Sequence, residues 1–281
     1  MDRTIALIGF GEAAGTFACA AGWQERAKVF DVKTDAADTR DAMLGAFARA
    51  GVTGCDTVAA ALAGADAVLS LVTADQSMAV AETVVASIAK DVLFLDMNSV
   101  APQTKRAAAE IVEAAGGRYA DVAVMAPVNP AKLDVPLLVS GLHAAAASDL
   151  LSGIGFTNIR VVGDEVGRAS TIKMLRSVMY KGMEALTAEC LIACERAGVT
   201  EDVLGSFGND WSTGADYRLD RMIVHGSRRA AEMEEAVKTL VGLGVAPLMT
   251  RGTVQRQREI GSLGLSPVPD GLNAKLERLR P

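Results

Sequence analysis

Short apolar runs of strand length recur along the first 163 residues, separated by stretches of helical spacing. No other feature of the chain narrows its possible folds as much. The runs Thr4–Ile8, Val29–Phe30, Ala67–Val72, Val92–Met97, Ala120–Val124, Leu137–Ser140 and Ile159–Val162 read as strands. The segments 12–22, 57–64, 77–89, 102–115 and 143–152 read as helices. Strands that are apolar almost throughout need cover on both faces, and intervening helices supply it. The pattern therefore predicts an α/β domain with a mostly parallel sheet.

The alternation stops near Gly163. From Glu165 to Ala197 there is no Pro and the apolar spacing is helical, although Gly167 and Gly182 weaken the case for one unbroken helix. Residues 200–281 carry helical patterns punctuated by Gly and Pro, with no convincing strand. The expectation is an α/β domain over 1–163 and an all-α domain over 164–281, joined by a long helix. A length of 281 residues accommodates both.

Composition excludes several function classes. The formal net charge is −6, which gives no basic face for nucleic acid. No apolar run reaches the ~18–20 residues of a membrane span. Cys19, Cys55, Cys190 and Cys194 lack paired zinc-ligand spacing and there are two histidines, so no metal site is expected. This cysteine usage suits a reducing cytoplasm. Met1–Ala21 faintly mimics a signal peptide, but Glu12 breaks its apolar stretch, and the same residues read better as strand, turn and helix.

That turn is Gly9-Phe10-Gly11-Glu12-Ala13-Ala14, a G-x-G-x-x-A pattern between a predicted strand and a predicted helix. Gly9 permits the tight turn, Gly11 lets backbone approach a pyrophosphate, and Ala14 keeps helix and strand close. The helix N-terminus offers N–H groups and a positive dipole end to the phosphates. Asp31 lies 20 residues beyond Gly11, at the end of the second strand. A carboxylate there suits the ribose hydroxyls of NAD and repels a 2′-phosphate, while Lys33 leaves NADP possible. The competing reading of the glycines is a purely structural turn. Together the features indicate a Rossmann dinucleotide site.

Lys173 opens a second pattern. Arg176, Ser177, Tyr180 and Lys181 share its helical face, between the apolar Ile172, Met174, Leu175, Val178, Met179 and Met183. A lysine beside other cations in a cleft acquires a lowered pKa, which suits a general acid/base near neutral pH. A solvated helix face is the plainer reading. Lys173 and Lys181 stand about 12 Å apart along a helix axis, so they cannot share one proton transfer. Thr73, Ala74 and Asp75 follow a strand where cofactor should pass, although Thr73 or Asp75 could instead cap the next helix. Asn98 and Ser99 carry the same two readings ahead of Pro102. His225, Arg228 and Arg229 suggest a basic turn, or else solvated surface. Cys190 and Cys194 read as core packing, and Arg251–Arg258 as a solvated helix face.

On these residues the chain resembles the β-hydroxyacid dehydrogenase superfamily, which includes 6-phosphogluconate dehydrogenase and 3-hydroxyisobutyrate dehydrogenase. The resemblance runs along essentially the whole chain. The fingerprint matches at Gly9, Gly11 and Ala14. The superfamily's lysine motif aligns with Gly167 and Lys173-Met174-Leu175-Arg176-Ser177, which implies Lys173 as catalytic acid/base. Asp96-Met97-Asn98-Ser99-Val100-Ala101-Pro102 resembles the strand end near the nicotinamide. Arg176–Gly182 and His225–Ala230, with Glu232–Glu235, look more like a poorly characterised branch that has its own C-terminal helical domain. Two departures stand out. Arg176 and Ser177 occupy the places of two asparagines. Met125-Ala126-Pro127 replaces a Ser-Gly-Gly that offers donors to a substrate carboxylate, and Met and Pro are poor donors. The pocket is therefore expected to be more apolar there, with Arg176, Lys181, His225 or Arg228 available to substrate.

The resemblance implies NAD(P)-dependent hydride transfer between nicotinamide and a small hydroxy acid or a related alcohol or carbonyl. Lys173 would move the proton and Ser177 would hold the reacting oxygen. Related folds include imine reductases, so C=N reduction is a second expectation. A dinucleotide-binding sensor without catalysis is a third. Family precedent implies a homodimer built on the helical domain.

Overall fold

In the computed structural model, which describes residues 3–208 and 211–279, the apolar runs pair into one eight-stranded sheet. The outermost residues of both expected domains, 1–2 and 280–281, lie outside the described residues. The strands are β1 (Ile5–Ile8), β2 (Ala27–Phe30), β3 (Thr53–Gly54), β4 (Ala67–Ser70), β5 (Leu93–Asp96), β6 (Arg118–Val124), β7 (Leu137–Ser140) and β8 (Ile159–Gly163). Their order is β3-β2-β1-β4-β5-β6-β7-β8. All pairs are parallel except β6–β7. The connection from β6 to β7 contains no α-helix, and without a helical crossover the chain returns antiparallel.

Alternation along β1 shows why both faces need cover. Ile5 and Leu7 belong to one buried cluster, Ala6 and Ile8 to another, so each face carries its own core. The flanking helices are α1 (Glu12–Ala21), α2 (Ala37–Ala50), α3 (Val58–Leu62), α4 (Ser77–Val84), α5 (Pro102–Ala114) and α6 (Ala144–Gly153). The sequence reading omits α2 and β3. Strand order reverses between β1 and β4, and the crevice outside the strand C-termini at such a reversal is where open α/β sheets take ligands.

The remaining helices are α7 (Arg168–Ala197), α8 (Thr200–Phe207), α9 (Trp211–Gly242), α10 (Leu248–Gly261) and α11 (Leu272–Arg278). The chain divides into two units, Met1–Lys173 and Met174–Pro281, so the division falls inside α7. α7 continues through Gly182. Within the second unit, Ala188, Leu191, Leu219, Met222 and Ile260 form one cluster, and Met174, Met233 and Ala236 belong to another.

His225–Arg229 do not form the expected basic turn, because these residues sit mid-helix in α9. Gly226 serves helix contact rather than chain reversal. A Cβ at Gly226 would lie 2.4 Å from the Gln257 carbonyl oxygen, and one at Gly261 would lie 2.3 Å from the Ser227 nitrogen. α9 and α10 thus meet backbone to backbone. Among the described residues, no helix is long and apolar enough to cross a membrane.

Candidate active site

The turn after β1 carries the tightest backbone constraint at the sheet's C-terminal edge. Gly9 has φ +89°, and a Cβ there would fall 2.5 Å from the Leu71 carbonyl oxygen, just beyond β4. Only glycine fits both the conformation and the gap. Gly9 N donates to Phe30 O at 2.9 Å, locking the turn to the end of β2. Gly11 is the N-cap of α1 and no side chain caps the helix. The space a Gly11 Cβ would enter holds nothing within 4 Å. An uncapped N-terminus beside open space fits a dinucleotide pyrophosphate, and Gly11, Glu12, Ala13 and Ala14 would hold it. Ala14 is buried under the turn, and Phe10 packs edge-on to Phe47 at 5.1 Å.

Asp31 is buried and already occupied by backbone. Its Oδ2 accepts from Phe10 N at 2.6 Å, and its Oδ1 accepts from Lys33 N at 2.9 Å. Each carboxylate oxygen has a second lone pair, so ribose hydroxyls could still bind there. The geometry adds a clamp between the glycine turn and β2 to the expected ribose role.

Beyond β4, Thr73 precedes a 3-10 turn at Ala74–Gln76 without capping it, and no side chain caps α4. Helix capping therefore does not account for Thr73 or Asp75. Gln76 Nε2 donates to Asp75 Oδ2 at 2.9 Å, and this bond, with a second from Thr73, holds the Asp75 carboxyl below its ordinary range.

Asn98 is buried and works as a stitch. Its Oδ1 accepts from Val72 N at 2.7 Å, and its Nδ2 donates to Ser70 Oγ at 2.9 Å and Ser77 Oγ at 3.3 Å. The stitch fixes the Val72–Thr73 loop to the end of β5. No side chain caps α5, so capping does not explain Asn98 or Ser99 either.

Lys173 Nζ donates to Ser99 Oγ at 2.6 Å, joining two residues 74 positions apart. The lysine is half-buried on α7, and Ser99 is half-buried beyond β5. The cationic stripe of α7 then diverges. Arg176 stacks over the Tyr180 ring at 4.3 Å, and both are exposed. Lys181 is buried, pairs with Glu232 at 2.7 Å and contacts Ser177 Oγ at 3.4 Å. Burial pushes the Lys181 ammonium below its ordinary range, against the opposing pull of Glu232. Arg228 also pairs with Glu232, at 2.6 Å. His225 is half-buried on the same helix.

Met125 N donates to Pro136 O at 2.9 Å, and its side chain packs against the Ala123, Leu138 and Ala169 cluster. With Pro127 lacking an N–H, Ala126 is the segment's one remaining backbone donor.

Sequence reasoning missed a buried cluster beneath this edge. Lys105 Nζ lies 2.6 Å from Asp96 O, 2.9 Å from Asp96 Oδ1 and 3.4 Å from Asp121 Oδ1. All three residues are buried. Tyr119 donates to Asp96 Oδ2 at 2.7 Å, and burial, aided by the charges of Asp96 and Asp121, pushes its phenol well above its ordinary range. The available signal was a Lys and a Tyr standing at otherwise apolar positions.

Residues 4–162 match the model of the NAD binding domain of 6-phosphogluconate dehydrogenase, and residues 195–260 match a domain of unknown function, DUF1932. A conserved hypothetical protein of Sinorhizobium meliloti 1021, of solved structure, is 38% identical with a TM-score of 0.76, covering 99% of this chain and 96% of that one. An uncharacterized 28.5 kDa protein of Methanothermus fervidus is 26% identical over 165 residues, which is 57% of this chain and 63% of that protein. The match thus spans less than two thirds of that relative. The 3-hydroxyisobutyrate dehydrogenase of Pseudomonas aeruginosa is 28% identical over 223 residues, 74% of this chain and 71% of that enzyme. With residues 4–162, more than half its length, matched, the chain belongs to the family built on the NAD binding domain of 6-phosphogluconate dehydrogenase.

Proposed function

We propose that the protein is an oxidoreductase that moves hydride between a nicotinamide cofactor and a small hydroxy acid or a related alcohol or carbonyl. The observation that carries this reading is the Lys173 Nζ–Ser99 Oγ contact at 2.6 Å. It places an amine beyond the C-terminal end of β5, on the same sheet edge as the uncapped glycine turn beyond β1. When bound, the cofactor supplies the hydride acceptor or donor. The chain's share is proton movement and positioning. Lys173 takes the hydroxyl proton in oxidation and returns it in reduction, and Ser99 fixes its Nζ. The Asp31 carboxylate disfavours a 2′-phosphate, so NAD is the preferred cofactor.

A homodimer and a cytosolic setting belong to the same proposal. Met179, Met183 and Leu186 on α7 expose apolar side chains in the second unit, as do Leu248 and Met249 on α10, and such surface favours a protein partner. The second reading is C=N reduction. It is favoured by the donor-poor Met125-Ala126-Pro127 segment, whose Met125 N–H is already used by Pro136.

A panel of hydroxy acids, ketones and cyclic imines, each run with NAD(H) and NADP(H) and followed at the reduced-nicotinamide absorbance, tests these readings. Turnover of a hydroxy acid with NAD is expected. Turnover of imines alone favours the second reading. Binding of NADH with no turnover favours a sensor.

A further inference from the structure

We propose that Asp121 is a positioning residue for Lys173, acting through the buried cluster it forms with Lys105 and Asp96. The proposal rests on the reading of Lys173 as acid/base, and goes beyond it by naming what sets that lysine's place.

The first turn of an α-helix needs acceptors for N–H groups that the helix cannot satisfy. For α7 the sheet supplies two of them, for Ala169 and Ser170. Asp121 Oδ2 accepts from Ser170 N and Ser170 Oγ, both at 3.0 Å, and from Ser140 Oγ at 3.2 Å. Ser140 Oγ in turn accepts from Ala169 N at 3.0 Å. Asp121 on β6 and Ser140 on β7 therefore set the start of α7. Lys173 follows Ser170 by three residues, about 4.5 Å along the axis.

The other partner of Lys173 is anchored in the same cluster. Asp96 Oδ1 accepts from Asn98 N at 3.0 Å, one residue before Ser99. Lys105 then bridges the two carboxylates, at 2.9 Å from Asp96 Oδ1 and 3.4 Å from Asp121 Oδ1. Both ends of the Lys173–Ser99 contact are thus referenced to one buried ammonium. Close packing reinforces the arrangement, since a Cβ on Gly167 would lie 2.9 Å from Pro102 Cβ at the start of α5. Replacing buried ionic groups with apolar ones is often neutral or stabilising, so stability alone is a weak reason for two carboxylates and a lysine here. Fixing the register of α7 against the β5–α5 connection is a reason that uses all three.

The test reads Lys173 without any substrate. Trace acetylation with acetic anhydride across a pH series, quantified by mass spectrometry, gives the reactivity of Lys173 relative to the exposed Lys90 of the same chain. In Asp121→Asn, the relative reactivity of Lys173 should rise about fivefold, within the range network substitutions produce. NADH affinity, followed by nicotinamide fluorescence, should stay close to wild type. A Lys173-to-Lys90 reactivity ratio in the folded variant equal to that of the wild type overturns the proposal. If Asp121→Asn does not fold, Ser140→Ala, which removes only the hydroxyl between Ala169 and Asp121, is read the same way and decides it. An unreactive-as-before Lys173 sinks the positioning claim alone. Normal turnover in Lys173→Ala would instead sink the acid/base reading and leave the labelling result standing.

Discussion

Lys105→Met removes the ammonium that two buried carboxylates share, and the expected cost follows from the geometry. The lysine side chain is fully buried, with Asp96 Oδ1 at 2.9 Å and Asp121 Oδ1 at 3.4 Å. Methionine replaces most of the aliphatic stem, so the loss is electrostatic rather than a cavity. Removing one partner from a buried ionic cluster costs about 3–5 kcal/mol because the remaining charge stays uncompensated. In a unit the size of Met1–Lys173, each kcal/mol shifts the melting temperature by roughly 2–4 °C, so the first unit should melt about 6–20 °C lower. Differential scanning calorimetry measures this directly. The triple variant Lys105→Met/Asp96→Asn/Asp121→Asn removes the stranded charges, while each new amide offers one oxygen acceptor where the carboxylate offered two. It should recover at least about half of the loss. A single variant that melts with wild type, or a triple variant lower than the single one, would refute the reasoning.

Gly9→Ala places a Cβ 2.5 Å from the Leu71 carbonyl oxygen at φ +89°, and backbone must move. The expected cost is about 1–3 kcal/mol of strain, with NADH affinity by fluorescence reduced roughly tenfold. Gly226→Ala forces α9 and α10 apart, since its Cβ would lie 2.4 Å from Gln257 O. Hydrogen exchange should show α10 amides losing protection while those of β1 and β4 keep theirs. Tyr119→Phe tests the raised phenol. An unfolded tyrosine ionises near about pH 10. The folded chain holds its proton to higher pH, so this contribution to stability is complete below about pH 10 and is lost as pH rises above it. Urea melts on either side of that value should show a fall in wild type that the variant largely lacks.

Much of the first unit was legible because its signals are local. Near-continuous apolar runs named β1, β4, β5, β6, β7 and β8, and the glycine spacing named the turn. α2 escaped because it is largely solvated. Its Met43, Phe47 and Ala50 do keep helical spacing, but they stand among charged and small residues. β3 is two residues long and leaves no period to read. The reversed β7 is set by the form of the connection before it, which apolar patterning does not encode. At the site, Lys173 and Ser99 were both legible as candidates, but their contact spans 74 positions and only the fold reveals it. Asp31 and Asn98 looked like ligand contacts, yet each spends hydrogen-bonding capacity on backbone first. His225, Arg228 and Arg229 suggested a basic turn, or else solvated surface, in a stretch punctuated by Gly and Pro. A glycine also permits close helix contact, and one sequence cannot separate the two uses.

Lys173 carries the proposed proton transfer, and the most direct measurement compares Lys173→Ala with wild type on whichever panel substrate the wild type turns over fastest. In the variant kcat should be at least ~100-fold lower, the low end for losing a general acid/base, with NADH affinity unchanged. A variant that keeps wild-type kcat while binding NADH normally would contradict that role.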